Sequence, residues 1–107
     1  MPKVHKRATA ERDLVDCFVY LAENAGMNIA ERFLANAEKS FSDLAGQPMM
    51  GSPLALRHPD LAGMRKCSVK DFDNFLIFYM PRPDGVSIVR VLRAERDCWW
   101  GLFGIEP

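Results

Sequence analysis

Apolar residues in the first half of the sequence recur at intervals of three and four, which is the period of an α-helix with one buried face. Thr9 is a suitable N-cap for a first helix, and Gly26 ends that helix. Asn28 is a second capping residue, and Gly46 closes the second helix. Because so few residues connect them, we expect the helices to fold back on each other as a hairpin. The predicted buried stripes are Leu14, Cys17, Phe18, Leu21, Ala22 and Ala25, then Ala30, Phe33, Leu34, Ala37, Phe41 and Leu44.

From Gly63 onward, short apolar runs alternate with turn residues, as is typical of β-strands. Strands are predicted at 64–69, 74–80 and 86–92, and the Pro- and Gly-containing turn 81–85 joins the last two as a hairpin. The second run is almost entirely apolar or aromatic, as in a central strand buried on both faces. In the third run, alternation would place Ser87, Val89 and Val91 on one face and Ile88, Arg90 and Leu92 on the other.

Three further segments complete the predicted architecture. Residues 4–8 can form an edge strand, and residues 46–62 are predicted to be a long surface loop, since they contain three prolines and two glycines and follow neither period. Asp97 can cap a short helical turn near the C-terminus. The prediction is an α+β fold with an N-terminal strand, an α-helical hairpin, a three-stranded antiparallel meander that completes one sheet, and a short C-terminal helical turn.

Length and composition are those of one globular domain spanning residues 1–107, without a signal peptide or an apolar run long enough for a membrane span, so a cytoplasmic protein is expected. Cys17, Cys67 and Cys98 are odd in number and far apart, which argues against a disulfide framework or a zinc knuckle. His5 and His58 have no neighbours at metal-ligand spacing. We therefore expect no metal and no cofactor.

Acidic and basic residues balance, 14 of each, but they are unevenly distributed. Acids dominate residues 9–45, whereas basic residues cluster near the N-terminus and in the second half of the chain. An uneven distribution gives a directional field even at zero net charge. Tight binding to nucleic acid normally requires a stronger positive excess, so direct nucleic-acid binding is not expected. The basic clusters of the second half are Arg65, Lys66 and Lys70, then Arg90, Arg93 and Arg96.

Element order and local motifs together resemble the RelE/ParE toxins of type II toxin–antitoxin systems, and in particular the ParE branch, which includes plasmid-stabilisation toxins. Residues 89–97 are similar to that branch's R-V-L-H-x-x-R-D pattern, although Arg93 stands where the family usually has histidine. The resemblance covers nearly the whole chain. The other matching segments are Arg12-Asp13-Leu14 and Tyr20-Leu21-Ala22 in the first helix, Ala30-Glu31-Arg32-Phe33 in the second, Met64-Arg65-Lys66, and Phe75 to Tyr79.

The resemblance leaves two kinds of activity open. Members of the RelE branch cleave ribosome-bound mRNA, which requires a base, an acid and cations around the phosphate. We expect no histidine in the sheet or the tail, and Trp99 and Trp100 stand where nucleases carry tyrosine or histidine. ParE-type toxins are instead implied to inhibit DNA gyrase by binding, without catalysis. The expected target-binding residues are Arg65, Arg90, Arg93, Arg96, Asp97, Trp99 and Trp100. The alternative functions are that of an mRNA endonuclease and that of a non-toxic relative that only binds its antitoxin. The side chains of Trp99 and Trp100 can equally belong to the hydrophobic core.

An antitoxin is the second partner that the resemblance implies. It is expected to be a small protein with a ribbon-helix-helix N-terminal domain and a flexible C-terminal segment that orders on the toxin, giving a hetero-oligomer. The hairpin groove near Phe18, Leu21 and Phe33, together with a free sheet edge, is its expected seat. The acidic outer faces of the helices would attract basic antitoxin residues, or they are simply solvated surface.

Overall fold

The computed structural model describes residues 2–54 and 63–93. Two helices pack on one mixed five-stranded sheet with strand order β1-β5-β4-β3-β2, in which β1 is parallel to β5 and the other pairs are antiparallel. The predicted α+β class, helical hairpin and C-terminal meander are confirmed, while the predicted C-terminal helical turn lies outside the described residues. The elements are β1 Lys3–Lys6, α1 Ala8–Asn24, α2 Met27–Gly46, β2 Ser52–Pro53, β3 Arg65–Val69, β4 Phe72–Arg82 and β5 Gly85–Arg93.

Both predicted N-caps, Thr9 for the first helix and Asn28 for the second, are wrong. Helix α1 begins two residues earlier than expected, with Arg7 at the N-cap position and no side-chain cap. The Thr9 hydroxyl instead donates to the carbonyl of Val89 at 3.0 Å. Gly26 has φ 102° and is itself the N-cap of α2, so Asn28 lies inside the first turn. One glycine in the left-handed region therefore ends the first helix and opens the second, which leaves no position for a polar cap between them.

The main core lies between the helices and the facing side of the sheet, as the helical stripes predicted. Phe33 of α2 is fully buried there, and its ring centroid lies 4.9 Å from that of Phe75 and 5.5 Å from that of Phe72. A smaller cluster on the opposite face of the sheet consists of Met64, Phe78 and Val89. Strand β4 is thus buried on both faces, as its apolar run predicted.

A β-bulge overturns the predicted alternation of the last strand. Phe78 pairs with Arg90, but the next residue, Tyr79, pairs with Ile88, so Val89 is an extra residue in β5. Val91 consequently packs in the main core and Val89 in the cluster on the opposite face. One inserted residue reverses the inward and outward alternation of everything that follows it.

The described part of segment 46–62, which is residues 46–54, is more regular than predicted. Ser52 and Pro53 form β2 by pairing with Lys66 and Arg65, so this segment supplies a fifth strand at the edge of the sheet. Pairing with β3 can hold these two residues in an extended conformation, although their sequence carries no strand period.

Candidate functional site

Side chains of α1 occupy the edge of β5 where β1 ends. β1 pairs with β5 only as far as Ile88, whose carbonyl accepts the Arg7 N–H at 3.0 Å. Further along, the Val89 carbonyl accepts the Thr9 hydroxyl at 3.0 Å, and the Val91 N–H donates to Asp13 Oδ2 at 3.1 Å. The helix thereby satisfies edge groups of β5 that would otherwise lack partners.

Asp13 and Arg90 form a two-point ion pair between α1 and β5. The Arg90 guanidinium donates through Nε to Asp13 Oδ2 at 2.6 Å and through Nη2 to Asp13 Oδ1 at 3.0 Å. The Asp13 side chain is 9% exposed and that of Arg90 is 25% exposed. Hydrogen bonding to the carboxylate raises the pKa of the Arg90 guanidinium. Arg90 is therefore a fixed cation with one orientation.

Arg93 stands close to this pair at the end of β5. Its guanidinium carbon lies 3.8 Å from the centroid of the Tyr20 ring, within the range of a cation–π contact. A groove of about 280 Å³ separates α1 from this end of β5. We call this region the α1–β5 site, lined by Asp13, Asp16, Cys17, Tyr20, Arg90 and Arg93.

The structure does not bring Arg65 to the α1–β5 site. Arg65 lies on β3, with β4 between it and β5, and its Nη1 donates to the carbonyls of Gly51 at 2.5 Å and Met49 at 3.2 Å. Arg65 therefore does not lie beside Arg90 and Arg93, and its side chain holds the chain before β2. Its part in target binding stays a prediction. The other expected target-binding residues, Arg96, Asp97, Trp99 and Trp100, lie outside the described residues.

Two of the three residues expected to seat the antitoxin are core residues. Phe33 is 0% exposed and Leu21 is 7% exposed, so neither lines an open groove, and Phe18 is half-buried. Val15 and Val19, which the predicted helical stripes omit, are 61% and 45% exposed. The available signal was that α1 carries more apolar residues than one buried stripe requires. We call Val15, Phe18, Val19 and Ala22, spaced along one side of α1, the α1 stripe.

The pKa values of several titratable groups among the described residues are shifted by burial or by hydrogen bonding. Burial raises the pKa of the Cys17 thiol to about 12, and the Asp13 carboxylate acts in the same direction. Burial also raises the pKa of Tyr79, although the Gly51 N–H donated to its oxygen opposes this. The expectation of no histidine in the sheet is wrong: His5 lies on β1, with Nε2 3.0 Å from Asp84 Oδ2. That contact lowers the pKa of Asp84 and lies beside the β4–β5 turn, at the opposite end of β5 from Arg93.

Neither helix among the described residues has the length and apolar character needed to cross a membrane. Within the same residues, no three His, Cys, Asp or Glu side chains converge as metal ligands.

This chain resembles known proteins both in sequence family and in fold. A family model described as the ParE toxin of the type II toxin–antitoxin system parDE matches residues 4–98. A solved structure of the chromosomal ParDE toxin–antitoxin system from P. aeruginosa has a similar fold, with a TM-score of 0.70 and 17% sequence identity, over 89% of this chain and 98% of that one. No curated protein matches the sequence.

Proposed function

Since this chain belongs to the ParE toxin family of type II toxin–antitoxin systems, we propose that it arrests bacterial growth by binding DNA gyrase, in the cytoplasm, and that a cognate antitoxin neutralises it. The docking surface is the α1–β5 site together with the cationic and aromatic residues that follow it in the sequence. No bond is made or broken by the toxin itself.

The observation that carries this proposal is how the α1–β5 site holds its cations. Asp13 fixes Arg90 with two hydrogen bonds, and Arg93 lies over the Tyr20 ring. Cations held in one orientation lose little side-chain entropy when a partner binds. Arginine and aromatic residues are also the side chains that contribute most at protein interfaces.

The titratable groups support docking over catalysis. A general base for RNA cleavage works best with a pKa near the operating pH. Cys17, which lines the site, is held protonated, with its pKa raised to about 12. Tyr79 is buried in the sheet, and its raised pKa keeps the phenol protonated. His5 is on β1 and pairs with Asp84, away from the two arginines.

Inducing the chain alone in bacteria tests the proposal. We expect growth arrest with filamentous cells and a DNA-damage response, because stabilised gyrase–DNA complexes produce breaks. Replacing both Arg93 and Arg96 with alanine should abolish the arrest while leaving the fold intact. Arg82→Ala is the matched control, since Arg82 is exposed at the β4–β5 turn, at the other end of the hairpin. Immediate cleavage of mRNA would support the nuclease instead, and normal growth would contradict both.

For the antitoxin, the α1 stripe replaces the seat expected from the sequence. Val15 and Val19 are exposed apolar side chains four residues apart, beside half-buried Phe18. An amphipathic helix of the antitoxin would cover such a stripe with its own apolar face. The flanking acids Glu11, Asp16 and Glu23 favour basic residues on that helix.

Co-expression with the small protein encoded next to this gene should restore growth. The double substitution Val15→Lys and Val19→Lys should prevent the rescue without reducing toxicity, because both side chains point into solvent. Arg12→Lys keeps the charge of an exposed α1 residue and serves as the control. Full rescue of the double variant would place the antitoxin elsewhere.

A further inference from the structure

The face of the sheet that points away from the helices is apolar, although neither described helix packs on it. Its centre consists of Met64, Phe78 and Val89. The half-buried side chains packed around that centre are Leu54, Leu76, Met80 and Leu92. Every member of this cluster lies on a strand or directly beside one, and none comes from α1 or α2. An apolar sheet face needs a second layer to exclude water from it.

The centre of this face is fully shielded from water. Phe78 and Met64 are each 0% exposed, and Val89 is 6% exposed. Neighbours in the same sheet surround such side chains laterally, but they leave the outer ends of the side chains open to water. The described side chains packed here are lateral neighbours of this kind. The covering atoms therefore belong to the rest of the chain, in which residues 55–62 and 94–107 are the two segments of sufficient length.

The C-terminal segment has the composition and the reach of a covering layer. It follows Leu92, which already packs on this face, and Arg93, the last described residue. Three of residues 94–97 are charged, whereas residues 98–105 carry no charge and read Cys-Trp-Trp-Gly-Leu-Phe-Gly-Ile. Four extended residues span about 13 Å. Since two strand spacings amount to about 10 Å, the apolar run can extend from β5 across β4 to β3.

Residues 55–62 fit this role less well. Two of the eight are charged, and only two are large apolar residues. The ends of the segment are tied together at the edge of the sheet, because the Leu54 N–H donates to the Met64 carbonyl at 2.9 Å. This loop closes the β2–β3 connection, whereas the centre of the cluster extends to β4 and β5.

We propose that residues 98–105 of the same chain pack across this face of the sheet as its second layer, with Trp99 and Trp100 contributing to the cover over Phe78. Each tryptophan can bury roughly 150–250 Å². Of the two roles that the sequence leaves open for the tryptophans, this one makes them core. They then support the docking surface by holding Arg96 close to Arg93 at the end of β5, a consequence that rests on the proposed function.

The tryptophan fluorescence of the full chain tests the proposal directly, because both tryptophans of the protein lie in this segment. The folded wild type should emit at the shorter wavelengths of buried indole. Acrylamide should quench that emission several-fold less than it quenches the urea-unfolded chain. The protection should be the same at every protein concentration, since the contact is intramolecular.

Lysine substitutions on the proposed contact face should expose the tryptophans. Leu76→Lys and Leu92→Lys each place a charge at a half-buried position beside the cluster centre. Each should shift the emission to longer wavelengths and increase acrylamide quenching several-fold, while far-ultraviolet circular dichroism shows that the helices are retained. Met27→Lys is the matched control, because it places the same charge at an exposed apolar position on α2. Its fluorescence should match that of the wild type.

The wild-type measurement alone can overturn the proposal. Tryptophans as open to acrylamide in the folded chain as in the unfolded one would leave residues 55–62 as the cover. Protection that develops only as the protein concentration rises would assign the cover to a second copy of the chain. Protected tryptophans that neither lysine variant exposes would show that the segment packs elsewhere. None of these outcomes involves gyrase, so the proposed function can fail without affecting this result.

Discussion

Two charged residues that interrupt apolar patterns, Asp13 in α1 and Arg90 in β5, are partners of each other. Removing a charge from water costs free energy, and the cost is recovered only when the partner geometry is good and the remaining hydrogen-bonding groups are satisfied. Here the Asp13 carboxylate accepts two bonds from Arg90 and one from the Val91 backbone. Neither residue can therefore be replaced singly without leaving polar groups of the other unpaired.

We expect Asp13→Ala to lower the free energy of unfolding by about 2–4 kcal/mol, somewhat less than for a fully buried pair because Arg90 keeps partial access to water. Urea denaturation followed by circular dichroism measures the change. The control is the double variant Asp13→Leu with Arg90→Met, which removes both charges and should regain much of the loss. A single variant as stable as the wild type would show that the pair contributes nothing to folding.

Cys17 gives the fold a specific sensitivity to alkaline pH. Its pKa is raised from 9.0 to about 12, so the folded state keeps the thiol proton where the unfolded state releases it. The corresponding stability is fully present below pH 9.0 and declines as the pH rises towards 12. The free energy of unfolding should therefore fall more steeply with pH in the wild type than in Cys17→Ala, as measured by urea titrations at successive pH values. Parallel pH dependences in the two proteins would contradict this.

At the residue scale, the sequence shows which residues depart from the local apolar pattern, but it does not show what those residues contact. Arg90 was noticeable among apolar neighbours, but only the fold shows that Asp13 is near it, since the two are separated by 77 positions in the chain. Arg65 looked like a member of a basic surface because charge was the only property visible in the sequence. Its actual acceptors are backbone carbonyls of a loop whose path no local pattern determines.

The elements themselves were predictable because each has a strong period, whereas their ends and registers depend on tertiary contacts. The apolar run of β4 and the stripes of α1 and α2 predicted buried segments that the structure contains. The Thr9 cap failed because its hydroxyl bonds across to β5. The β5 alternation failed because Val89 is inserted as a bulge, which changes register without changing composition.

The packing of residues 47–51 on Tyr79 predicts a strict requirement for glycine at position 51. A Cβ there would lie 2.5 Å from the Tyr79 hydroxyl and 2.7 Å from the Lys66 carbonyl oxygen. Because a strand backbone cannot move aside cheaply, Gly51→Ala should lower the free energy of unfolding by about 1–3 kcal/mol in thermal or urea denaturation.

Tyr79→Phe supplies the comparison for this prediction. It removes the hydroxyl that binds Pro48 and Gly51, and it should cost about 1–3 kcal/mol by itself. Since that oxygen is also the nearest atom that a Cβ at position 51 would meet, the double variant should be less destabilised than the sum of the singles. Strict additivity would show that the two residues do not act on each other.

At the scale of the whole molecule, family membership confirms the resemblance drawn from the ordered motifs. The motifs were individually weak, but their order along the chain reflects one fold, and the structure of the P. aeruginosa ParDE system shares that fold at 17% identity. Where the partners bind was less predictable, because exposure depends on how the helices are turned against the sheet. Phe33 and Val15 are both apolar helix residues, yet one is the centre of the core and the other faces solvent.

The surfaces proposed for the target and for the antitoxin differ in their chemistry. The α1–β5 site carries oriented cations, and the α1 stripe carries exposed valines. We therefore expect target docking and antitoxin binding to be separable by substitution. The variant with lysine at positions 15 and 19 should escape the antitoxin and yet remain fully toxic.

The most direct test of docking without catalysis is to add the purified chain to DNA gyrase, ATP and relaxed plasmid, and in parallel to translating ribosomes. The account predicts loss of supercoiling and accumulation of double-strand breaks after the gyrase is digested, with the ribosome-bound message intact. The variant with alanine at positions 93 and 96 should leave gyrase fully active. Unimpaired gyrase together with a message cut at defined codons would contradict the account.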